Sequence, residues 1–90
     1  MTQMDRLEQM LVDNNIPHEV VVDFTGNKQL WYPNKKNVVS DAICHQYSYG
    51  YEEGLLEIMG LADSNFDDVE GWLTAEEVFK KWSAHYKSLQ

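Results

Sequence analysis

The stretch EVVVDFTGNKQLWY, residues 19–32, decides the fold class. Its first part, Glu19–Phe24, is rich in β-branched residues and predicts a strand. Thr25–Asn27 predicts a turn, because Gly and Asn accept positive φ without a large steric cost. Gln29–Tyr32 then predicts a second strand, so the middle of the chain begins with a β-hairpin.

The hairpin is followed by further strand signals. Val38–His45 alternates in the manner of a third strand, with Asp41 and Ile43 facing the same way. Leu55–Met59 fits either a fourth strand or one helical turn, and the glycines that bound it favour the strand. Ala62–Gly71 is acidic and predicts a loop. We therefore expect an antiparallel sheet of three to four strands.

Both ends of the chain carry helix signals. Apolar residues at helical spacing predict a first helix over residues 2–14, capped by Thr2. Thr74 and Glu77 form the pattern of a capping box, in which each side chain bonds the other residue's amide, and a final helix follows. Its apolar stripe consists of Val78, Phe79, Trp82, Tyr86 and Leu89. The expected fold is one α+β domain over residues 1–90, with its helices on one sheet face.

Composition restricts the class of protein. The chain has 90 residues, of which 43% are apolar, and its 11 aromatics (three Trp, five Tyr, three Phe) suit one small core rather than disorder. Fifteen acids against seven bases give a net charge of −8, which argues against direct binding of nucleic acid or an anionic membrane. We expect a cytoplasmic protein, because Met1–Asp13 lacks signal-peptide features and the single cysteine, Cys44, fits a reducing compartment.

Calcium binding is the first chemistry to test, because an acidic segment precedes the last helix. Asp63, Asn65 and Asp67 occupy the first, third and fifth positions of an EF-hand loop. Asp68 stands where that loop needs Gly, and Thr74 stands where it needs a bidentate Glu. The pattern therefore predicts no calcium site.

Catalytic patterns are the second test. Cys44 and His45 are adjacent on a predicted strand, so their side chains point to opposite faces and form no dyad. His18, His45 and His85 lack the paired spacing of zinc ligands, and no nucleotide-binding motif is present. We expect no catalytic residue, no cofactor and no metal. A small metal-dependent enzyme is the second alternative to the function given below.

Two motifs resemble a known group of proteins. The runs YGYEEGLLEIMG, residues 49–60, and GWLTAEEV, residues 71–78, are similar to small acidic proteins of phages and prophages of Gram-positive bacteria. The likeness extends over about residues 38–82. The group has no established activity, so the resemblance implies only a context, which is a phage-derived protein in the cytoplasm of a bacterial host.

The distribution of charge suggests a function. Residues 52–77 contain nine acids and no Lys or Arg, with aromatic residues interspersed among and beside them. Acids with aromatics are typical of a surface that binds a basic protein, although acids also keep a small domain soluble. The predicted partner-binding residues are Tyr49, Tyr51, Glu52, Glu53, Asp67, Asp68, Glu70 and Trp72. We expect a non-enzymatic protein that binds a host or phage protein; the alternative is an anti-defence, anti-CRISPR-like inhibitor that mimics DNA.

Overall fold

The fold is one antiparallel sheet with two α-helices. A computed structural model of the chain describes residues 1–63 and 67–90. Within these ranges the elements are α1 (Gln3–Asp13), β1 (Glu19–Val22), β2 (Lys28–Tyr32), β3 (Ser40–Ile43), β4 (Leu56–Met59), β5 (Val69–Leu73) and α2 (Ala75–Ser88). A short 3₁₀ helix, Tyr51–Glu53, precedes β4. The strands lie side by side in chain order, each antiparallel to the one before.

The α+β class is confirmed, but the predicted number of strands is wrong. The described residues form five strands, and the additional one, β5, begins inside the segment 62–71 that was predicted as a loop. The alternation of β5 is interrupted by a bulge: Leu56 pairs with Leu73 and Ile58 with Glu70, which leaves two residues of β5 opposite Glu57. A bulge destroys the period-two signal by which a strand is recognised in sequence.

Several predicted boundaries shift for local reasons. β1 ends at Val22 because Asp23 turns the chain, its Oδ1 accepting the amides of Thr25 at 2.8 Å and Asn27 at 3.0 Å. Phe24, predicted within the strand, is fully exposed in this turn. The third strand covers only Ser40–Ile43 of the predicted 38–45.

The two predicted helices and the fourth strand are present. The first helix covers Gln3–Asp13, and Thr2 caps it by accepting the amide of Asp5 at 3.0 Å. Leu56–Met59 is a strand, so the choice of strand over helical turn is confirmed. Leu89, predicted in the apolar stripe of the last helix, is exposed beyond the end of α2.

Both helices pack on the same face of the sheet, which we call the core face. Leu7 and Leu11 of α1 and Val78 and Trp82 of α2 are fully buried. The sheet residues buried beneath them are Leu30, Tyr32, Ala42, Leu56, Ile58 and Leu73. Burial of this apolar surface is the main term that stabilises so small a domain.

Trp82 connects α2 to the middle of the sheet. Its indole Nε1 donates to Oγ of buried Ser40 at 2.9 Å, and that hydroxyl donates to the carbonyl of Gly60 at 2.6 Å. Gly60 allows this approach, because a Cβ there would lie 2.1 Å from the carbonyl oxygen of Val39. Burial of the indole therefore leaves its polar atom satisfied.

Ion pairs attach the helices to each other and to the sheet on the core-face side. Arg6 of α1 pairs with Glu76 of α2. At the same helix ends, the side-chain carbonyl of Gln3 accepts the amide of Ala75 at 2.7 Å, so α1 and α2 start side by side. Lys28 of β2 lies 2.8 Å from carboxylates of α1, those of Asp5 and Glu8.

The capping box of α2 gives a stability prediction. Thr74 Oγ1 accepts the amide of Glu77 at 3.2 Å, and Glu77 Oε1 accepts the amide of Thr74 at 2.9 Å. We expect Thr74→Ala to lower the free energy of unfolding by about 1 kcal/mol, measured by urea denaturation. Thr74→Ser retains the capping oxygen and serves as the control. Equal midpoints for the Ala and Ser variants would contradict the role of this cap.

Candidate protein-binding surface

The predicted partner-binding residues lie in two separate regions. Tyr49, Trp72 and the 3₁₀ helix Tyr51–Glu53 lie at the end of the sheet where both α-helices start. Asp67 and Asp68 lie between β4 and β5 at the opposite end, and Glu70 follows in β5. The structure therefore brings the aromatic residues together with Glu52 and Glu53, and it separates them from Asp67 and Asp68.

Tyr49 and Trp72 form an exposed stack, which we call the aromatic pair. Their ring centroids are 5.4 Å apart and their planes are inclined by 18°. More than half of each residue is exposed: 57% of Tyr49 and 56% of Trp72. The residues are 23 positions apart in sequence, and they meet beside the paired strands β4 and β5.

The backbone that holds the aromatic pair is unusual. Trp72 has φ of 56°, in the left-handed region that bulky residues rarely adopt. Its amide donates to the carbonyl of Tyr49 at 3.2 Å. Gly71 fits directly beneath Tyr49, since a Cβ on Gly71 would lie 2.2 Å from the tyrosine Cβ. The bulge in β5 thus places Trp72 at the surface.

The 3₁₀ helix borders a cleft of about 770 Å³. Tyr51, Glu52 and Glu53 line it together with the start of α1 and the β1–β2 turn. Lys28 also lines it, and hydrogen bonds to Asp5 and then Glu8 raise the pKa of its ammonium group. Glu52 and Glu53 are exposed at the rim, beside the aromatic pair in sequence.

The second acidic region is organised around Lys81 of α2. This ammonium group pairs with Asp63 and lies 3.4 Å from Glu70. Burial alone lowers the pKa of Lys81, but the pairing with Asp63 and Glu70 outweighs burial and raises it. Asp68 accepts the amide of Ala62 at 3.1 Å. Asp63, Asp68 and Glu70 therefore have structural partners, which the sequence did not indicate.

The face of the sheet opposite the helices, which we call the outer face, was missed by sequence analysis. Strand pairing places its residues in two cross-strand rows. The first row is Glu19–Trp31–Asp41–Met59–Val69, and the second is Val21–Gln29–Ile43–Glu57, ending at the β5 bulge that contains Trp72. Glu19 and Met59 are exposed and the others are partly buried, and both α-helices of the described part of the chain pack on the opposite face.

Asp41 is the most unusual carboxyl group of the outer face. It lies between Trp31 and Met59 in the first row, and Gln29 donates to its Oδ2 at 2.8 Å. Burial raises the pKa of Asp41, and the bond from Gln29 opposes this effect only in part. The indole N–H of neighbouring Trp31 is buried and has no acceptor among residues 1–63 and 67–90.

The cysteine and the histidines are engaged in ways that do not form a nucleophilic pair. Burial raises the pKa of the Cys44 thiol, which disfavours the thiolate. His18 Nδ1 lies 2.8 Å from the carbonyl of Ile16, and His85 Nδ1 lies 2.8 Å from the hydroxyl of Tyr32. His45 Nδ1 accepts the amide of Tyr47 at 3.2 Å. The bonds of His18 and His45 are local, whereas that of His85 joins α2 to β2.

The described residues contain neither a cluster of metal-ligating side chains nor a membrane-spanning helix. Outside the segment 64–66, no three His, Cys, Asp or Glu side chains are close enough together to hold a metal ion. The calcium-loop prediction falls partly on Asn65, which lies outside the described residues, while Asp63 pairs with Lys81. Neither α1 nor α2 is long and apolar enough to cross a membrane, and no other helix in the described ranges is.

Comparisons of the chain with protein-family models, with curated proteins and with solved structures gave no match.

The strained position of Trp72 gives a second stability prediction. Replacement by Asn removes a stack worth about 0.5–1.5 kcal/mol, but Asn accepts the left-handed conformation that costs other residues about 1–2 kcal/mol. We expect Trp72→Asn to keep the free energy of unfolding within about 1 kcal/mol of the wild type, and Trp72→Ala, which remains strained, to be less stable. Urea denaturation followed by circular dichroism measures both. A loss of about 3–5 kcal/mol for Trp72→Asn would instead identify Trp72 as a core residue.

The raised pKa of Asp41 gives a prediction about pH. Because the folded-state pKa exceeds the ordinary 3.8, the folded chain binds this proton more tightly, and stability falls as pH rises through that window. We expect Asp41→Asn to be more stable than the wild type at pH 7, with the difference narrowing as pH is lowered toward 3.8.

The control for Asp41→Asn is Asp13→Asn, which removes one charge at the exposed end of α1. It measures the general benefit of reducing a net charge of −8. Urea midpoints are determined for both variants across the pH range. If Asp41→Asn destabilises the chain at pH 7, the carboxylate is a stabilising group and this account of Asp41 is wrong.

Proposed function

We propose that this chain is a small non-enzymatic accessory protein that binds a host or phage protein through the aromatic pair and nearby acids. The observation that carries the proposal is Trp72, a large ring held outside the core in a left-handed backbone conformation. Strained residues persist where the surrounding structure over-determines them, and they cluster at functional sites. Tryptophan and tyrosine also dominate the binding energy of protein interfaces.

The proposed partner presents a basic surface. Glu52 and Glu53 lie exposed near the aromatic pair, and the whole chain carries a net charge of −8. Such a field acts over a Debye length of about 8 Å at physiological salt and accelerates the encounter with Lys and Arg. The aromatic pair would supply the desolvated contact that charge alone does not. The resemblance of two sequence motifs to phage and prophage proteins supports a bacterial cytoplasm as the proposed setting of this interaction.

The positions of the acids favour protein binding over the DNA-mimic alternative. A mimic needs carboxylates in a ridge at phosphate-like spacing. Here Glu70 is near Lys81, and Glu76 pairs with Arg6. Asp67 and Asp68 lie at the opposite end of the sheet from Glu52 and Glu53. Charges that are separated and partly neutralised offer a partner several local contacts rather than one continuous ridge.

Affinity capture from a bacterial lysate tests the proposed function. The wild type, Trp72→Asn and Phe24→Asn are immobilised as full chains, and retained proteins are identified by mass spectrometry at low and high salt. Phe24 is the matched control because it is also an exposed aromatic residue, in the β1–β2 turn. We expect a basic protein on the wild type and on Phe24→Asn, about tenfold less on Trp72→Asn, and elution by salt.

Equal retention by the two variants would contradict the proposal, because the aromatic pair would then contribute nothing specific. Retention that is insensitive to salt would contradict the proposal that the partner presents a basic surface. Circular dichroism of each bait confirms that the variants compared are folded.

A further inference from the structure

Every strand contributes an apolar side chain to the outer face. Val21, Trp31, Ile43, Met59 and Val69 come from all five strands. Met59, at the end of β4, is 57% exposed. Five strands about 4.8 Å apart make a surface roughly 20 Å wide, and a helix with its side chains is about 10 Å across. The core face has the same width and holds two helices. The outer face therefore has room for helices of another molecule.

We infer that the outer face binds an amphipathic helix of the partner protein, whose apolar stripe is bordered by Lys or Arg. The inference rests on the proposed function and specifies the partner's chemistry. It adds the outer face to the aromatic pair as the second part of the interface.

Charge on the outer face selects a basic partner. Glu19, Asp41 and Glu57 are distributed over the two rows, and the rows contain no Lys or Arg among the described residues. A second copy of the chain would bring these carboxylates against one another, and like charges across an interface disfavour association. A helix bordered by cations would pair with them instead.

Asp41 explains why a cation is needed within the face and not only at its rim. This carboxyl group is half-buried between Trp31 and Met59, and Gln29 supplies its one side-chain hydrogen bond in the described part of the chain. A desolvated carboxylate gains most from an added positive charge, because screening by water is weak there. A Lys or Arg beside the apolar stripe of a docked helix would supply that charge.

The outer face is continuous with the aromatic pair. Its second row passes from Ile43 to Glu57 and ends at the bulge that holds Trp72. Tyr49 stacks on Trp72, and its amide lies 3.4 Å from Oε1 of Glu57. A helix that follows this row therefore reaches the aromatic pair without leaving the sheet.

A synthetic peptide of Leu and Lys, spaced to form an amphipathic helix, tests the inference against the full chain by calorimetry. Met59→Lys places a cation in the outer face, and Val12→Lys places the same charge at an equally exposed apolar position on α1. We expect Met59→Lys to weaken binding about tenfold or more and Val12→Lys less than about threefold. Asp41→Asn and Asp13→Asn form a second matched pair, in which only Asp41→Asn is expected to weaken binding by about fivefold.

Several results would overturn the inference. They are failure of the wild type to bind the peptide, equal weakening by Met59→Lys and Val12→Lys, or equal binding of a peptide with Glu in place of Lys. A wild-type dimer in sedimentation experiments that Met59→Lys dissociates would make the outer face a self-interface. In the lysate capture, loss of the retained protein with Trp72→Asn but not with Met59→Lys would keep the proposed function and reject the outer face.

Discussion

The hydrogen bond from the Trp82 indole to Ser40 is the interaction on which the rest of the structure depends. It joins α2 to β3 inside the core. The Ser40 hydroxyl in turn donates a hydrogen bond to the carbonyl of Gly60, the residue that follows β4. Trp82 also stacks on Tyr32 of β2, with ring centroids 5.5 Å apart. An unsatisfied buried N–H costs about 1–3 kcal/mol, so this bond adds to apolar burial in favouring the face of the sheet that the helices cover. The identity of the outer face follows from it.

The same division between faces explains where the charges lie. Arg6, Lys28 and Lys81 pair with acids on the core-face side, where they hold the helices to each other and to the sheet. The outer face keeps acids such as Asp41 without any of these bases. Pairs at the surface contribute little to stability, but they use basic groups that would otherwise balance the remaining acids. An acidic outer face is thus a consequence of how the helices are attached.

The parts of the fold that depend on neighbouring residues were predictable from sequence, and those that depend on strand pairing were not. The hairpin at 19–32, the capping box of α2 and the strand at Leu56–Met59 have local signals, and each is present. β5 was missed because its bulge removes the alternation. Tyr49 and Trp72 were each predicted to bind a partner, but their stacking on one another could not be foreseen, because it depends on the pairing of the strands. Assigning residues to the outer face requires the register of all five strands. The sequence showed only that Asp41 and Ile43 point to the opposite face from Ala42.

The central claim is that the outer face and the aromatic pair form one docking surface while the core stays unchanged. Two-dimensional NMR of nitrogen-labelled protein tests it most directly, because the three tryptophans, Trp31, Trp72 and Trp82, report on the outer face, the aromatic pair and the core. During titration with the Leu and Lys peptide, the indole N–H signals of Trp31 and Trp72 should shift together while that of Trp82 stays in place. A shift of Trp82, or an unmoved Trp31 with changes confined to α1 and α2, would contradict the account.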